Sequence, residues 1–240
     1  MEKIVILSDQ HARYHDRRTE DAVLNFLSDF KPNLIVNNGD LFDFEALSSF
    51  RKTLAARASL EEDKAWGNAL LCAQRAVVPD AEIVLIEGNH EERLERYLLD
   101  NAEALSASLN VPGFCELPDY VEYIGPYGMG LDWHGVLVYH GSRLGINPSK
   151  AELLDAGTSG VSGHTHRLGS YYHTDRSGAH AWYMGGCLCN INGPDVPPSF
   201  RGPRLNDWQQ GFVVGIWDET WSLYQVSITD HKFIFDGKRY

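Results

Sequence analysis

The stretch Leu34–Asp43, with the sequence LIVNNGDLFD, constrains the fold of this chain more than any other. Its apolar run, Leu34–Val36, ends in two asparagines and Gly39, and Asp40 and Asp43 follow directly. A short apolar run that ends in glycine is typical of a buried strand that opens into a loop at its carboxyl end, where open α/β sheets place their chemistry. We therefore expect Asp40 to be presented in a loop at that edge of a sheet.

Four further apolar runs, at residues 3–7, 82–86, 136–139 and 160–162, also read as strands. Each is followed by residues with oxygen or nitrogen donor atoms: Asp9 and His11, Asn89 and His90, His140, and His164 and His166. His164 and His166 flank one threonine, and alternate residues of an extended turn point to the same side. Donors of these types at five strand ends predict a metal site.

Helical patterns alternate with the first three strands. We predict helices from Thr19 as cap to Phe30, from a Ser59–Glu62 capping box to Val77, and from Glu91 to Leu109. In the last of these, four leucines are expected to face inward: Leu94, Leu98, Leu105 and Leu109. After Val136 short strands dominate, apart from a helix expected at Pro148–Ala156. This order predicts an α/β fold in which a parallel sheet packs on a second, more antiparallel sheet with helices outside.

The chain has no shift in composition that would mark a boundary, so we expect a single domain over residues 1–240. Residues 110–132 and 185–211 are rich in glycine, proline and aromatic residues without a clear period, and we predict that they are surface insertions. A long loop such as the second is usually functional or mobile.

The charge balance, 21 − 33 = −12, disfavours a protein that coats nucleic acid through positive charge, although it permits a local basic groove. No apolar run approaches the roughly 20 residues that span a bilayer, and the first residues do not resemble a signal peptide. We expect a cytoplasmic protein with no membrane partner. The four cysteines are expected to be reduced structural thiols without a role in the site.

The donors number seven and include no cysteine: Asp9, His11, Asp40, Asn89, His140, His164 and His166. Seven are too many for one tetrahedral ion and suit two ions of the Mn, Fe, Zn or Ni type. Two ions about 3.5 to 4 Å apart need a shared ligand, and a carboxylate can bridge them. Asp40 is the candidate bridge.

The order of these motifs resembles the calcineurin-like metallophosphoesterases over residues 8–166. The matching pieces are Asp9-x-His11, Gly39-Asp40-x-x-Asp43, Gly88-Asn89-His90-Glu91, His140-Gly141 and Gly163-His164-x-His166. The resemblance implies a four-layer α/β/β/α sandwich of two mixed sheets flanked by helices. It also implies one metal held by Asp9, His11, Asp40 and His166, and a second held by Asp40, Asn89, His140 and His164.

Two divalent ions that share a water lower its pKa from near 15.7 to about 7, so hydroxide can attack phosphorus at neutral pH. His90 resembles the family's acid and would protonate the leaving group, or would be a solvent-facing residue that contacts phosphate. Asp43 would hydrogen-bond a ligand histidine, or would be a surface carboxylate. Manganese is the first metal expected.

The substrate is expected to be a phosphodiester in nucleic acid or a nucleotide. Protein phosphatases of the superfamily have Asp-Arg-Gly where this chain has Asp43-Phe44-Glu45, and the Gly-Asp segment resembles the branch of DNA-repair exonucleases, which normally have Asp at the position of Glu91. A phosphomonoesterase and an inactive binding protein on the same fold are the alternatives.

The loops offer further substrate-binding candidates. Arg13 and Arg17 would line the site together with Asn89 and His90, or would be solvated surface charges. Two further groups of loop residues would add positive charge around the metal site or close over it. One is Arg51, Lys52 and Arg57, and the other is Arg201 and Arg204 with Trp208. The second of these groups would form a lid or seal a dimer. The aromatic residues at 171, 172, 182, 183 and 208 would stack on bases or lie in the core.

Overall fold

The computed structural model describes residues 1–49, 60–192 and 206–240, and its main strands form two sheets. The first sheet has the order β11-β10-β1-β2-β3-β4, with β1 at Glu2–Leu7, β2 at Leu34–Asn38, β3 at Glu82–Ile86, β4 at Val121–Ile124, β10 at Gly211–Asp218 and β11 at Thr220–Ser227. The second has the order β5-β6-β7-β9-β8, with β5 at Gly130–Trp133, β6 at Val136–Tyr139, β7 at Gly160–Ser162, β8 at Leu168–Asp175 and β9 at Gly178–Gly185. A hairpin of β12 (Ile234–Phe235) and β13 (Lys238–Arg239) follows.

The helices lie in the connections between strands. They are α1 (Arg17–Phe30), α2 (Leu60–Val77), α3 (Glu92–Asn101), α4 (Glu103–Ser106), α5 (Val111–Cys115) and α6 (Pro148–Ala156). Short 3-10 turns at Ala12–Tyr14 and Glu45–Leu47 lie in the loops that follow β1 and β2. Among the described residues, no helix is both long and apolar enough to cross a membrane.

Alternation along the strands builds the layers, because successive side chains of a strand point to opposite faces. Ile4 and Ile6 of β1 pack in the core between the two sheets, while Val5 and Leu7 pack in the core formed with α1 and α2. On the far face of the second sheet, Trp182 packs in a third cluster with residues of α6. The predicted four-layer α/β/β/α sandwich is therefore confirmed.

Both sheets are mixed. Strands β1, β2, β3 and β4 are parallel, and β10 and β11 add an antiparallel ribbon beside β1. In the second sheet β6, β7 and β9 are parallel, with β5 and β8 antiparallel at the two edges. The expectation of a parallel first sheet was wrong, because the final long strands return to that sheet instead of extending the second. The second sheet is the more antiparallel of the two, with two parallel and two antiparallel pairings.

Two helix predictions need correction. The cap of α1 is Asp16, whose carboxylate accepts hydrogen bonds from two N–H groups of the first turn, so Thr19 lies inside the helix. The helix after β3 ends at Asn101, since Ala102 has a φ of −156°. Leu105 and Leu109, predicted to face inward, are therefore exposed. The predicted helix at Pro148–Ala156 is confirmed. The predicted cap at Ser59 lies outside the described residues.

The stretch 110–132 is part of the sheets. It contains α5, then β4 at the edge of the first sheet, then β5 at the edge of the second. The prediction that it is a surface insertion was therefore wrong, and its lack of a clear period reflects three short elements in sequence. Of the stretch 185–211, residues 193–205 lie outside the described part of the chain, together with the prolines that suggested a long loop.

Candidate metal centre

Side chains from five strand ends meet at one edge of the two sheets. Asp9 and His11 follow β1, Asp40 follows β2, Asn89 follows β3, His140 follows β6, and His164 and His166 follow β7. The carboxyl ends of parallel strands lie at the same edge, and the two sheets pack face to face, so these loops converge. The structure thus brings all seven predicted donors together.

The first group of donors joins the loops after β1 and β7. Nε2 of His166 lies 3.1 Å from Oδ1 of Asp9 and 3.0 Å from Nε2 of His11. Nδ1 of His11 faces Oδ2 of Asp43 at 3.0 Å, so the proton of that ring is best placed on Nδ1 and its Nε2 carries a lone pair. Two ring nitrogens at this distance repel unless a positive charge or a proton lies between them. The donor set therefore suits a cation.

The second group joins the loops after β2, β3, β6 and β7. Nε2 of His140 lies 3.3 Å from Oδ2 of Asp40 and 3.1 Å from Oδ1 of Asn89. The same Asn89 oxygen lies 2.8 Å from Nδ1 of His164. Nδ1 of His140 donates to the carbonyl oxygen of Asn38 at 2.8 Å, which leaves Nε2 of His140 as the atom that faces the group.

Asp40 lies in both parts of the site. It groups with His11 and His90 on one side and with Asp9 and His140 on the other, and in each group the ligand atoms lie within 4.8 Å of one another. Its Oδ1 accepts the backbone N–H of His90 at 2.9 Å, so the carboxylate is held in one orientation. This is the position that a ligand shared by two ions requires.

The charges of the buried groups compensate one another. Burial alone would raise the pKa of Asp40, but the positive charge of His140 outweighs it and holds that pKa well below its usual range. Burial alone would lower the pKa of the two histidines that face carboxylates, but Asp40 raises that of His140 to about 9 and Asp9 raises that of His166 to about 10. The carboxylates therefore demand positive charge at this site, whether from protons or from metal ions.

The backbone of the site is strained. Five donors have left-handed φ angles, namely Asp9 (54°), His11 (53°), Asp40 (53°), His164 (66°) and His166 (57°). For residues other than glycine this conformation costs about 1 to 3 kcal/mol each and persists only where the surroundings enforce it. Backbone hydrogen bonds between the first two loops, such as His11 N–H to Asp40 O at 2.8 Å, provide that enforcement.

Motif glycines allow the loops to approach each other. A Cβ atom on Gly88 would lie 2.3 Å from Oδ1 of Asp40, and one on Gly163 would lie 2.4 Å from Oδ2 of Asp9. Both distances are shorter than any real Cβ contact, so a larger residue would displace a ligand carboxylate. The close packing of the loops therefore requires glycine at positions 88 and 163.

His90 lies against the donors and is buried. Its Nδ1 donates to the carbonyl oxygen of Asp43 at 3.0 Å, and its Nε2 lies 2.7 Å from Nη2 of Arg93. Arginine can only donate, so Nε2 accepts this hydrogen bond. Asp43 is also buried, with its Oδ2 on His11, and the alternatives of a surface carboxylate and of a solvent-facing His90 are wrong.

Glu91 braces the loop that carries Asp40. Its carboxylate accepts three backbone hydrogen bonds, from Gly88, Asp40 and Phe42, at 2.8 to 2.9 Å. It is fully buried, and burial together with the nearby Asp40 charge raises its pKa to about 7. The longer side chain at this position, which distinguishes the chain from the exonuclease motif, spans the gap between the second and third loops.

Sequence reasoning missed two neighbours of the donors. Arg93 lies one turn into the helix that follows His90. Its position three residues after His90 could have indicated that it lies near the site. Cys189 is buried with Sγ 3.8 Å from Nδ1 of His166. It follows the carboxyl end of β9 at the same edge, so the argument from strand ends applied to it. The four cysteines are free, as expected, and Cys189 lies next to a donor histidine.

Two predicted substrate contacts have partners elsewhere. Arg13 pairs with Glu62 at 2.8 Å, and Arg17 packs over the ring of Trp66 at 4.6 Å, so both contact α2. Trp208 packs on His166 with ring centroids 4.3 Å apart. The aromatics at 182 and 183 are buried in the core, whereas the one at 172 is exposed. The basic residues Arg51, Lys52, Arg57, Arg201 and Arg204 lie outside the described residues.

The sequence and the fold are similar to those of known proteins. A family model described as calcineurin-like phosphoesterase matches residues 2–182. The Gene 54 protein of Mycobacterium phage D29 is 29% identical over 227 residues, covering 88% of this chain and 87% of that protein. Its namesake in Mycobacterium phage L5 is 27% identical over 239 residues, with 88% of each covered. The crystal structure of Vps29 from Chaetomium thermophilum, at 13% identity, aligns with a TM-score of 0.51 over 95% of this chain and 87% of that one, which shows a similar fold.

Proposed function

This chain belongs to the calcineurin-like phosphoesterase family, and from that premise we propose that it hydrolyses phosphodiesters at a pair of divalent metal ions. The observation that carries the proposal is the convergence of seven oxygen and nitrogen donors around the buried Asp40. One ion would be held by Asp9, His11, Asp40 and His166, and the other by Asp40, Asn89, His140 and His164. Manganese is the first choice, with iron, zinc and nickel as alternatives that the same donors accept.

Bound ions would supply an activated water and positive charge for the phosphoryl oxygens. The protein itself orients its ligands. Asp43 holds the Nδ1 proton of His11, and the carbonyl oxygen of Asn38 holds that of His140, so both rings present Nε2 to the site. The ligand carboxylates are buried, so solvent screens their charge only weakly.

His90 is the proposed proton donor to the leaving oxygen. An alkoxide is a poor leaving group and needs a proton as it departs, which a histidine can provide near neutral pH. The atom that would carry this proton is Nε2, which accepts a hydrogen bond from Arg93 at 2.7 Å. The role therefore requires that Arg93 releases Nε2 when substrate binds.

A diester is preferred because the loop after Asp40 has no arginine: Asp43 is followed by Phe44 and Glu45. Such an arginine would clamp the second negative charge of a monoester. Arg93 offers a specific argument for the alternative, a phosphomonoesterase, because its guanidinium lies beside His90 and is largely buried. The two proposals differ in which of two simple substrates the protein prefers.

The test uses metal-stripped protein with manganese, nickel or zinc added back. We expect manganese to restore hydrolysis, with a higher kcat/KM for bis(4-nitrophenyl) phosphate than for 4-nitrophenyl phosphate. The reverse preference would establish the monoesterase instead. Asp40→Ala is expected to lose both ions in elemental analysis, and a variant that retained the full metal complement would refute the bridge. Wild-type protein that binds metal but hydrolyses neither ester would refute the proposed function.

A further inference from the structure

A cleft of about 340 Å³ opens directly beside the metal centre. It lies between residues 47–49 and the exposed face of α3, and Asn89 forms part of its wall. The Oδ1 atom of Asn89 contacts both His140 and His164, so the cleft and the metal centre share this residue. A substrate whose phosphorus lies at the centre would therefore extend one of its ends into the cleft.

Two arginines line the cleft one turn apart on α3. Arg93 donates two hydrogen bonds, to the carbonyl oxygen of Asp43 at 2.7 Å and to Nε2 of His90 at 2.7 Å. Its Nη1 also lies 3.7 Å from Oδ1 of Asp43, whose other carboxylate oxygen faces His11. A guanidinium has five N–H groups, so three remain for a ligand. Arg96 is exposed and lies 3.7 Å from Glu92, an ion pair that contributes little in water.

The cleft also offers an aromatic surface. Tyr97 follows Arg96 on the same helix, lines the cleft and is 44% exposed. Exposed aromatic rings in binding grooves stack on nucleic-acid bases without reading their sequence. The described lining carries two arginines and one carboxylate, Asp100, so its formal charge is +1 despite the acidic total, and Glu92 lies beside Arg96. The cavity volume lies in the range of about 300 to 1,000 Å³ that small-molecule sites occupy.

We propose that this cleft binds the leaving side of a nucleic-acid strand, with Arg93 and Arg96 on the phosphate next to the one that is cleaved and Tyr97 against a base. The inference rests on the proposed function and names its substrate class. The protein acts on oligonucleotides, in which a second phosphate lies one nucleotide from the scissile one. Isolated diesters lack that phosphate and use the metal centre alone.

The experiment compares three substrates: thymidylyl-thymidine and the same dinucleotide with an added phosphate at its 5′ or at its 3′ end. We expect one of the phosphorylated forms to have a kcat/KM about tenfold higher, since a hydrogen bond to a charged group contributes about 1.5 kcal/mol and 1.4 kcal/mol is tenfold. In Arg96→Gln this ratio should fall to near one. Arg239→Gln, which removes an exposed arginine on β13, is the matched control and should keep the ratio.

The outcomes separate this inference from the proposed function. Equal kcat/KM for all three dinucleotides, with bis(4-nitrophenyl) phosphate still hydrolysed, would refute phosphate binding in the cleft. The proposed phosphodiesterase activity would still stand. An unchanged ratio in Arg96→Gln would do the same.

Binding gives a second test that is independent of catalysis. By calorimetry, metal-free protein should bind thymidine 5′-monophosphate about tenfold more tightly than thymidine, and Arg96→Gln should lose this difference. If wild-type protein bound the two equally, the proposed cleft would be refuted even in a protein that hydrolysed no ester at all.

Discussion

Metal binding should release protons, and the number follows from the charges at the site. His140 and His166 face carboxylates that raise their pKa values to about 9 and about 10. Both rings therefore carry an extra proton at pH 7.5 in the metal-free protein. A histidine must be neutral at the nitrogen that binds a metal, so each of these two rings must lose a proton when both ions bind.

The other two ligand histidines should contribute nothing. Burial and the nearby charge of His140 lower the pKa of His164 to about 4, and burial also lowers that of His11, so these rings are already neutral. We therefore expect about two protons from the ligand histidines at pH 7.5, and up to one more from a water shared by the two ions, whose pKa would fall to about 7. A raised pKa means that protons compete with metal below that pKa, so metal affinity should rise with pH from 7 to 9 and level off above about 10.

Isothermal titration calorimetry measures this release directly. The apparent enthalpy of manganese binding is recorded at pH 7.5 in buffers with different ionisation enthalpies. The slope of the apparent binding enthalpy against the buffer ionisation enthalpy gives the number of protons released. Asp9→Asn removes the carboxylate that faces His166 and should reduce the slope by about one. Release of no protons by the wild-type protein at pH 7.5 would refute the reasoning.

Two further predictions concern single side chains. His90→Ala should lower kcat/KM at least about 100-fold for a diester with an alkyl leaving group and far less for one with nitrophenolate, which leaves without a proton, and equal losses in these assays would exclude the acid role. Glu20 is buried with no hydrogen-bond partner for either carboxylate oxygen among the described residues, and burial raises its pKa from 4.5 to about 7. The folded state then holds the proton that the unfolded state loses, so stability falls as pH rises from about 4.5 to 7, by about 1.36 × 2.5, or roughly 3 kcal/mol. Glu20→Gln should therefore be more stable than wild type in urea unfolding at pH 8 and no more stable at pH 5. Glu122→Gln, at an exposed position of β4, is the control. Equal stability of Glu20→Gln and wild type at pH 8 would contradict the argument.

The donor residues of the site could be predicted from short stretches of sequence. An apolar run that ends in glycine and a donor residue depends only on neighbouring positions, because strand burial and the loop after it are both properties of a few residues. For that reason Asp40, Asn89 and His140 could be assigned to strand ends without coordinates. The same local logic predicted α6, with its proline at the start and a glycine after its end.

Contacts between distant segments could not be read in this way. Arg93 binds His90 and the carbonyl oxygen of a residue 50 positions earlier, and Cys189 reaches His166 from another strand. The partners of Arg13 and Arg17 are on α2, although both arginines follow a metal loop directly. A charged residue near a motif in sequence can point in any direction, and packing decides which.

The sequence by itself determined which atoms can bind metal and that they follow five strands, because donor type and hydrophobic pattern are written residue by residue. Tertiary structure alone decided that β10 and β11 return beside β1, that residues 110–132 supply edge strands to both sheets, and that Arg93 meets His90 at the mouth of a cleft. These features depend on strand pairing and side-chain packing between segments far apart in the chain, and the free energies that select them belong to the whole fold and to no single stretch of it.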